Sequence, residues 1–224
     1  LTPGNIRKIL IIKLKGIGDV ILSSIVFDSL QKTFPKAEIH FLTEPPSAPL
    51  LNKLPVIKKV HLFRKKEKFA ALTTIYNIRK ENFDLVLDFY ANPRTALITF
   101  LSGARYRAGF PYRGRQYAYN LSGPAERASF HAAELHNEFL KRIGLHGDAT
   151  RLHFGMDKSD TEFADNYFAN TFAKGELVIG VSPTGGWESK KCDADIMYQF
   201  AEKISTGLQA KILLLWGPGD EKDA

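Results

Sequence analysis

The sequence predicts an α/β protein organised around a parallel sheet, and three observations carry that prediction. Strand-like and helix-like segments alternate along the 224 residues, the pattern of helices packed on the faces of a parallel sheet. The strand-like segments are continuous apolar runs, as strands buried on both faces require. A glycine-bearing turn joins the first strand directly to a helix in "KILIIKLKGIGDVILSSIVFDSL", a junction at which α/β proteins usually hold phosphate.

Taken in order, residues 6–14 are rich in Ile and Leu and read as a strand. Residues 20–33 have helical apolar spacing that stops before Pro35. Residues 37–43 ("AEIHFLT") form a second strand, and the proline-rich "EPPSAP" reads as a loop. A third strand is expected over 56–63, a helix over 68–81, a fourth strand over 83–89 and a helix over 94–102. A strand at 105–110 and a helix at 131–143 follow, then a polar, aromatic-dotted helical stretch at 159–173. The pattern restarts near residue 176, with a strand at 177–181, a helix at 194–205 and a strand at 210–216. One βαβ unit cannot bury a domain-sized core. The expectation is a complete first domain, 1–173, and only the start of a second α/β domain, 174–224. The chain opens with Leu1, so the natural start is expected upstream.

Hydrophobic residues make up 44% and charged residues 25% of the chain, ordinary for a protein with a substantial core. The single cysteine, Cys192, permits no intramolecular disulfide, which suits a reducing compartment. The apolar run 9–12 is broken by Lys13 and Lys15 and is too short to span a bilayer; no signal peptide is visible. The formal charge of +7 favours an anionic partner: nucleic acid, an acidic membrane surface or a phosphorylated substrate. A solvated basic surface without a partner is the plainer alternative.

In the first turn, Gly16 and Gly18 are expected to supply positive φ and close backbone approach. The third glycine of a dinucleotide fingerprint is replaced by Ile21, and the Walker pattern is absent. Asp19 at the tip would repel a pyrophosphate. Two readings remain for it: a helix cap, or a general base at the carboxyl end of a parallel strand.

The second loop, "SPTGGWESKK", follows the strand at 177–181. Ser182, Thr184, Gly185 and Gly186 can offer hydroxyls and backbone N–H groups to an anion. Lys190 and Lys191 come just before a helix start, where cations are mildly unfavourable, so a negative group such as a diphosphate should compensate them.

These segments resemble glycosyltransferase family 9, the heptosyltransferases of the lipopolysaccharide inner core. The resemblance is carried by the opening through "AEIHFLT", by "LVLDFYANPRTALITFLSGARYRAGF", by "HAAELHNEFLKRIGL" and by "IGVSPTGGWESKK". It implies a GT-B fold, two Rossmann-like domains with the acceptor on the first and the nucleotide sugar on the second. It implies heptose transfer from ADP-heptose to a Kdo or heptose acceptor with inversion, needing no metal or other cofactor. Asp19 falls on the family's catalytic aspartate and Lys190 on its phosphate-binding lysine. Ser182, Thr184 and Gly185 fall in the donor loop; Gly16, Gly18, Asn92, Arg94, Arg113 and Arg115 fall on the acceptor side. Where the family carries Arg-Trp after the lysine, this chain has Lys191-Cys192. The family's later nucleotide-binding motif lies beyond Ala224, so these residues are expected to hold only part of the ADP site.

Two basic clusters stand out: Arg64, Lys65, Lys66 and Lys68, and Arg105, Arg107, Arg113 and Arg115 among tyrosines. The resemblance assigns them to acceptor carboxylates and phosphates and to an anionic membrane surface, with the protein cytoplasmic and peripheral at the inner face of the inner membrane. An arginine–tyrosine loop also suits single-stranded nucleic acid, but that reading leaves both loops unexplained, and no nucleic acid is expected. A nicotinamide-dependent sugar-nucleotide enzyme is opposed by the missing third glycine. His40 and His61 lie in strands and read as core or edge residues. His131 and His136 are five apart, off one helical face, which argues against a metal pair.

Overall fold

A computed structural model describes residues 3–185, 191–217 and 220–221. Its contacts divide the chain into two compact units, Leu1–Asp157 and Lys158–Ala224. The sequence reading placed the division at 173/174; the contacts group the helix Lys158–Thr171 with the second unit.

The first unit runs β1 (Lys8–Ile12), α1 (Ile17–Ser23), α2 (Val26–Thr33), β2 (Glu38–Thr43), α3 (Ala48–Asn52) and β3 (Ile57–Leu62). It continues α4 (Ala70–Lys80), β4 (Leu85–Asp88), α5 (Pro93–Leu101), β5 (Tyr106–Gly109), β6 (Leu121–Ser122) and α6 (Ala132–Arg142). The six strands form one sheet in the order β3-β2-β1-β4-β5-β6, and every pair is parallel. That is the Rossmann order, with its topological switch between β1 and β4, where open α/β sheets bind their ligands beyond the strands' carboxyl ends.

Alternation within β1 builds two cores. Ile9 and Ile11 join Val26, Phe27, Phe89 and Phe139 on the face covered by α1, α2 and α6. Leu10 and Ile12 join Phe63, Ile78 and Ile98 on the face covered by α4 and α5. All four β1 side chains are fully buried, which is why the strand reads as an unbroken apolar run.

Two expectations need correction. The helix expected over 20–33 is two helices, α1 and α2. The Ser23 and Ser24 hydroxyls donate to the carbonyls of Val20 and Ile21, at 2.7 and 2.6 Å, and such back-bonding competes with helical continuation. The stretch "EPPSAP", expected to be a loop, folds into a 3-10 turn at Pro45–Ser47 leading into α3; prolines at first-turn positions are compatible with helix.

The second unit contains α7 (Lys158–Thr171), β7 (Val178–Val181), α8 (Ala194–Leu208) and β8 (Lys211–Leu214). β7 and β8 pair in parallel, joined by α8. No helix among the described residues is long and apolar enough to cross a membrane.

Candidate active site

The turn after β1 lies beside the switch point. Gly16 adopts φ 84° and is the N-cap residue of α1, with no side-chain capping bond. Its glycine is required twice over. The backbone is left-handed, and an added Cβ would stand 2.9 Å from Asp19 Oδ2. Gly18 differs from the sequence expectation. It lies inside α1, lacks positive φ and has open space around its missing Cβ. Asp19 is the third residue of α1, an acidic side chain in the helix's first turn.

Its partner is Lys13, just beyond the last residue of β1. Lys13 Nζ stands 3.5 Å from Asp19 Oδ2; the lysine side chain is 7% exposed and the aspartate 54%. Burial pushes the Lys13 ammonium below its usual range, and the Asp19 carboxylate opposes that shift. The same ammonium lies 5.8 Å from the Tyr90 ring centroid. A carboxylate held from behind by a buried cation, and open to solvent in front, is equipped to take a proton from an incoming hydroxyl.

Asp88 ends β4 next to β1, paired in register with Ile12. It is wholly buried. Oδ1 accepts from the N–H groups of Ala91 and Tyr90 at 2.8 and 3.1 Å, and Oδ2 accepts from the Tyr119 hydroxyl at 2.8 Å. Burial raises the Asp88 pKa, and these hydrogen bonds partly offset it. Burial, then the Asp88 charge, pushes the Tyr119 phenol up. Ala91 carries φ 49°, a conformation strained for alanine and fixed here by Asp88. Its carbonyl accepts from Arg115 at 2.9 Å.

The remaining sequence-predicted acceptor-side residues gather on the loops after β4 and β5. Asn92 caps α5 reciprocally with Thr95. Arg94 is exposed, its guanidinium 5.3 Å from the Phe63 ring centroid. Arg115 stacks 5.2 Å from Tyr112, and Arg113 is exposed. Asn92 and Arg115 therefore shape the loop, while Arg94 and Arg113 are free to meet solvent. A hollow of about 390 Å³ opens between the loops after β2 and β3, lined by Pro45, Pro46, Phe63, Arg64, Lys65 and Lys66 among others.

In the second unit, Ser182, Thr184 and Gly185 follow β7 at its carboxyl end; Ser182 is exposed and the other two are half-buried. Gly186 and Lys190 lie outside the described residues. The N-terminus of α8 is already served by the chain: Asp193 accepts from the N–H groups of Asp195 and Ile196 at 3.0 and 3.4 Å, and Asp195 adds charge in the first turn.

Sequence reasoning gave no role at this site to Lys13, Asp88 or Tyr119, and weighed His136 only as half of a metal pair. His136, on α6, is 3% exposed, and neither ring nitrogen makes a hydrogen bond of normal geometry. Burial, with the Lys13 and Arg127 charges, holds its pKa down to about 3. Away from this end of the sheet, His40, His61 and Glu81 place one ligand atom each within 4.8 Å of one another. Yet His40 Nδ1 and His61 Nε2 are 3.0 Å apart, with ring centroids 5.3 Å apart and planes only 21° apart. The centroid distance is the N···N distance plus two ring radii, so the nitrogens point straight at each other. This is an N–H···N bond between neutral imidazoles, with no room for an ion between them.

Residues 72–224 match a family described as glycosyltransferase family 9 (heptosyltransferase). Lipopolysaccharide heptosyltransferase 1 of Campylobacter coli is 25% identical over 166 residues, covering 72% of this chain and 46% of that protein. Lipopolysaccharide core heptosyltransferase OpsX of Haemophilus influenzae is 22% identical over 214 residues, covering 94% of this chain and 59% of that protein. The chain thus spans about half the length of these curated relatives. Among solved structures, a glycosyl transferase family 9 protein from Veillonella parvula superposes with TM-score 0.83 at 19% identity, covering 96% of this chain and 64% of that one. E. coli ADP-heptose lps heptosyltransferase II does so with TM-score 0.74 at 16% identity, covering 96% and 66%.

Proposed function

Because the chain belongs to glycosyltransferase family 9, we propose that it is part of an inverting heptosyltransferase acting on the lipopolysaccharide inner core at the cytoplasmic face of the inner membrane. The donor is ADP-heptose and the acceptor a Kdo or heptose hydroxyl. Asp19 takes the acceptor's proton as its oxygen bonds the sugar's anomeric carbon. The bond from that carbon to the diphosphate breaks on the opposite side, and ADP leaves. Ser182, Thr184, Gly185 and Lys190 hold the departing diphosphate, so no metal is needed to neutralise it. The observation that carries this reading is the half-exposed Asp19 carboxylate, backed by buried Lys13 at the switch point of the sheet.

The test is ADP release from ADP-heptose by the product of the complete open reading frame, with and without a Kdo-bearing lipid A acceptor. Acceptor-dependent release is expected, falling on the order of 10²–10⁴-fold in Asp19→Asn. Release that survives the substitution removes Asp19 from the base role. No release from the folded protein means another donor or acceptor.

A further inference from the structure

A stripe of large apolar and aromatic side chains runs along the exposed side of α4, beside the exposed Thr73, Asn77, Arg79 and Lys80. Phe69, Leu72 and Tyr76 are 64%, 63% and 58% exposed and share one stripe, opposite the buried Thr74 and Ile78. α5, on the same face of the sheet, adds Leu97 and Phe100 at 40% and 45% exposure. Phe69 also sits at φ 62°, a conformation costly for a bulky residue and repaid by no burial.

Cations frame this stripe. Lys68 Nζ stands 5.3 Å from the Phe69 ring centroid and Lys80 Nζ 4.3 Å from that of Tyr76, while Lys65 and Lys66 are exposed just before the stripe in sequence and Arg94 is exposed in the first turn of α5. Residues 64–80, from the loop after β3 to the end of α4, hold six Lys/Arg and one Asp/Glu. That carboxylate, Glu67, stands 3.5 Å from Arg64.

We propose that the solvent face of α4 and α5 is the seat of the protein on an anionic bilayer, with Phe69, Leu72 and Tyr76 entering the headgroup region and the flanking lysines meeting lipid phosphates. Exposed aromatic and aliphatic side chains interleaved with lysines are what an interfacial helix presents. The stripe starts at Phe69, just after the loop that follows β3, at the end of the sheet that carries Asp19. A membrane-anchored acceptor would therefore meet the turn without leaving the bilayer surface. The assignment rests on the proposed function only for its link to a lipid-borne acceptor.

The experiment is co-sedimentation of the chain with phosphatidylglycerol/phosphatidylethanolamine vesicles and with phosphatidylcholine vesicles. The comparison protein is Phe69→Asn/Leu72→Gln/Tyr76→Gln, all exposed positions, with asparagine tolerating the positive φ of residue 69. The unsubstituted chain should partition at least about tenfold better onto anionic vesicles. The triple variant should lose about tenfold or more of that with an unchanged unfolding midpoint. A Tyr76→Trp variant should shift its emission to the blue on anionic vesicles alone. Equal binding by the triple variant, as when Arg113 and Arg115 act by charge alone, overturns the proposal. So does absence of binding, or self-association that the triple variant abolishes. ADP release with a water-soluble acceptor lacking acyl chains separates the two readings. If release fails while vesicle binding holds, the reaction is wrong and the surface stands.

Discussion

Gly16 and Asp19 constrain each other. The turn needs a left-handed residue, and the carboxylate occupies the space a side chain there would take. Gly16→Ala should cost about 1–2 kcal/mol in stability from the backbone alone. It should lower the transfer rate more than proportionately, because a displacement of about 1 Å can cost about a hundredfold. Gly18→Ala should behave oppositely in stability, gaining up to about 0.5–1 kcal/mol inside α1. Thermal unfolding of both variants with acceptor-dependent ADP release from Gly16→Ala checks this; equal stability losses would place both glycines in the turn. The sequence pointed to Asp19 because a carboxylate at a glycine turn conflicts with phosphate binding. It did not point to Lys13. A lysine after an apolar strand reads as the strand's solvated end, and only burial reveals a charge held against another. Asp88 was equally hidden, although "LVLD" ends a buried strand in a carboxylate.

At the scale of elements, β5 holds Asp88 in place through an absence. A methyl at Gly109 would stand 2.3 Å from Tyr119 ring carbons, and that ring brings its hydroxyl to Asp88. Gly109→Ala should therefore destabilise by about 2–4 kcal/mol, combining overpacking with a lost bond to a buried carboxylate. Tyr119→Phe should lose the hydrogen-bond share alone. Chemical denaturation of the two variants and the double variant tests the link. The double variant should cost clearly less than the summed singles, and strict additivity would show that Gly109 does not act through Tyr119. Long strands and their order were legible because burial on both faces writes a continuous apolar run. The break between α1 and α2 was not, because it depends on serine hydroxyls turning back on the backbone, and period alone does not register that. The turn before α3 was obscured by prolines that serve equally in loops and in first helical turns.

For the first unit as a whole, the buried histidines tie stability to pH. His136 has its pKa held down to about 3 and His61 to about 4, both chiefly by burial, and His40 is lowered for the same reason. In the unfolded chain they would titrate near 6.5. Below that value the unfolded state binds protons that the folded state refuses. The stability these groups provide is thus complete above about pH 6.5 and is lost as the pH falls toward their folded values, by up to about 1.4 kcal/mol per unit for each. Glu81, drawn down to about 2 mainly by its bond from Lys59, contributes a separate loss only below about pH 4.5. Urea unfolding should therefore move to lower midpoints between pH 7 and pH 5, before the carboxylates titrate. His136→Leu makes the cause specific. Its imidazole has no hydrogen bond of normal geometry to lose, and leucine is close in volume and apolar. The variant should unfold near the parent's midpoint at pH 7.5 and above it at pH 5. If both proteins lost stability in parallel over that interval, His136 would not be the neutral, dehydrated ring that the fold makes of it.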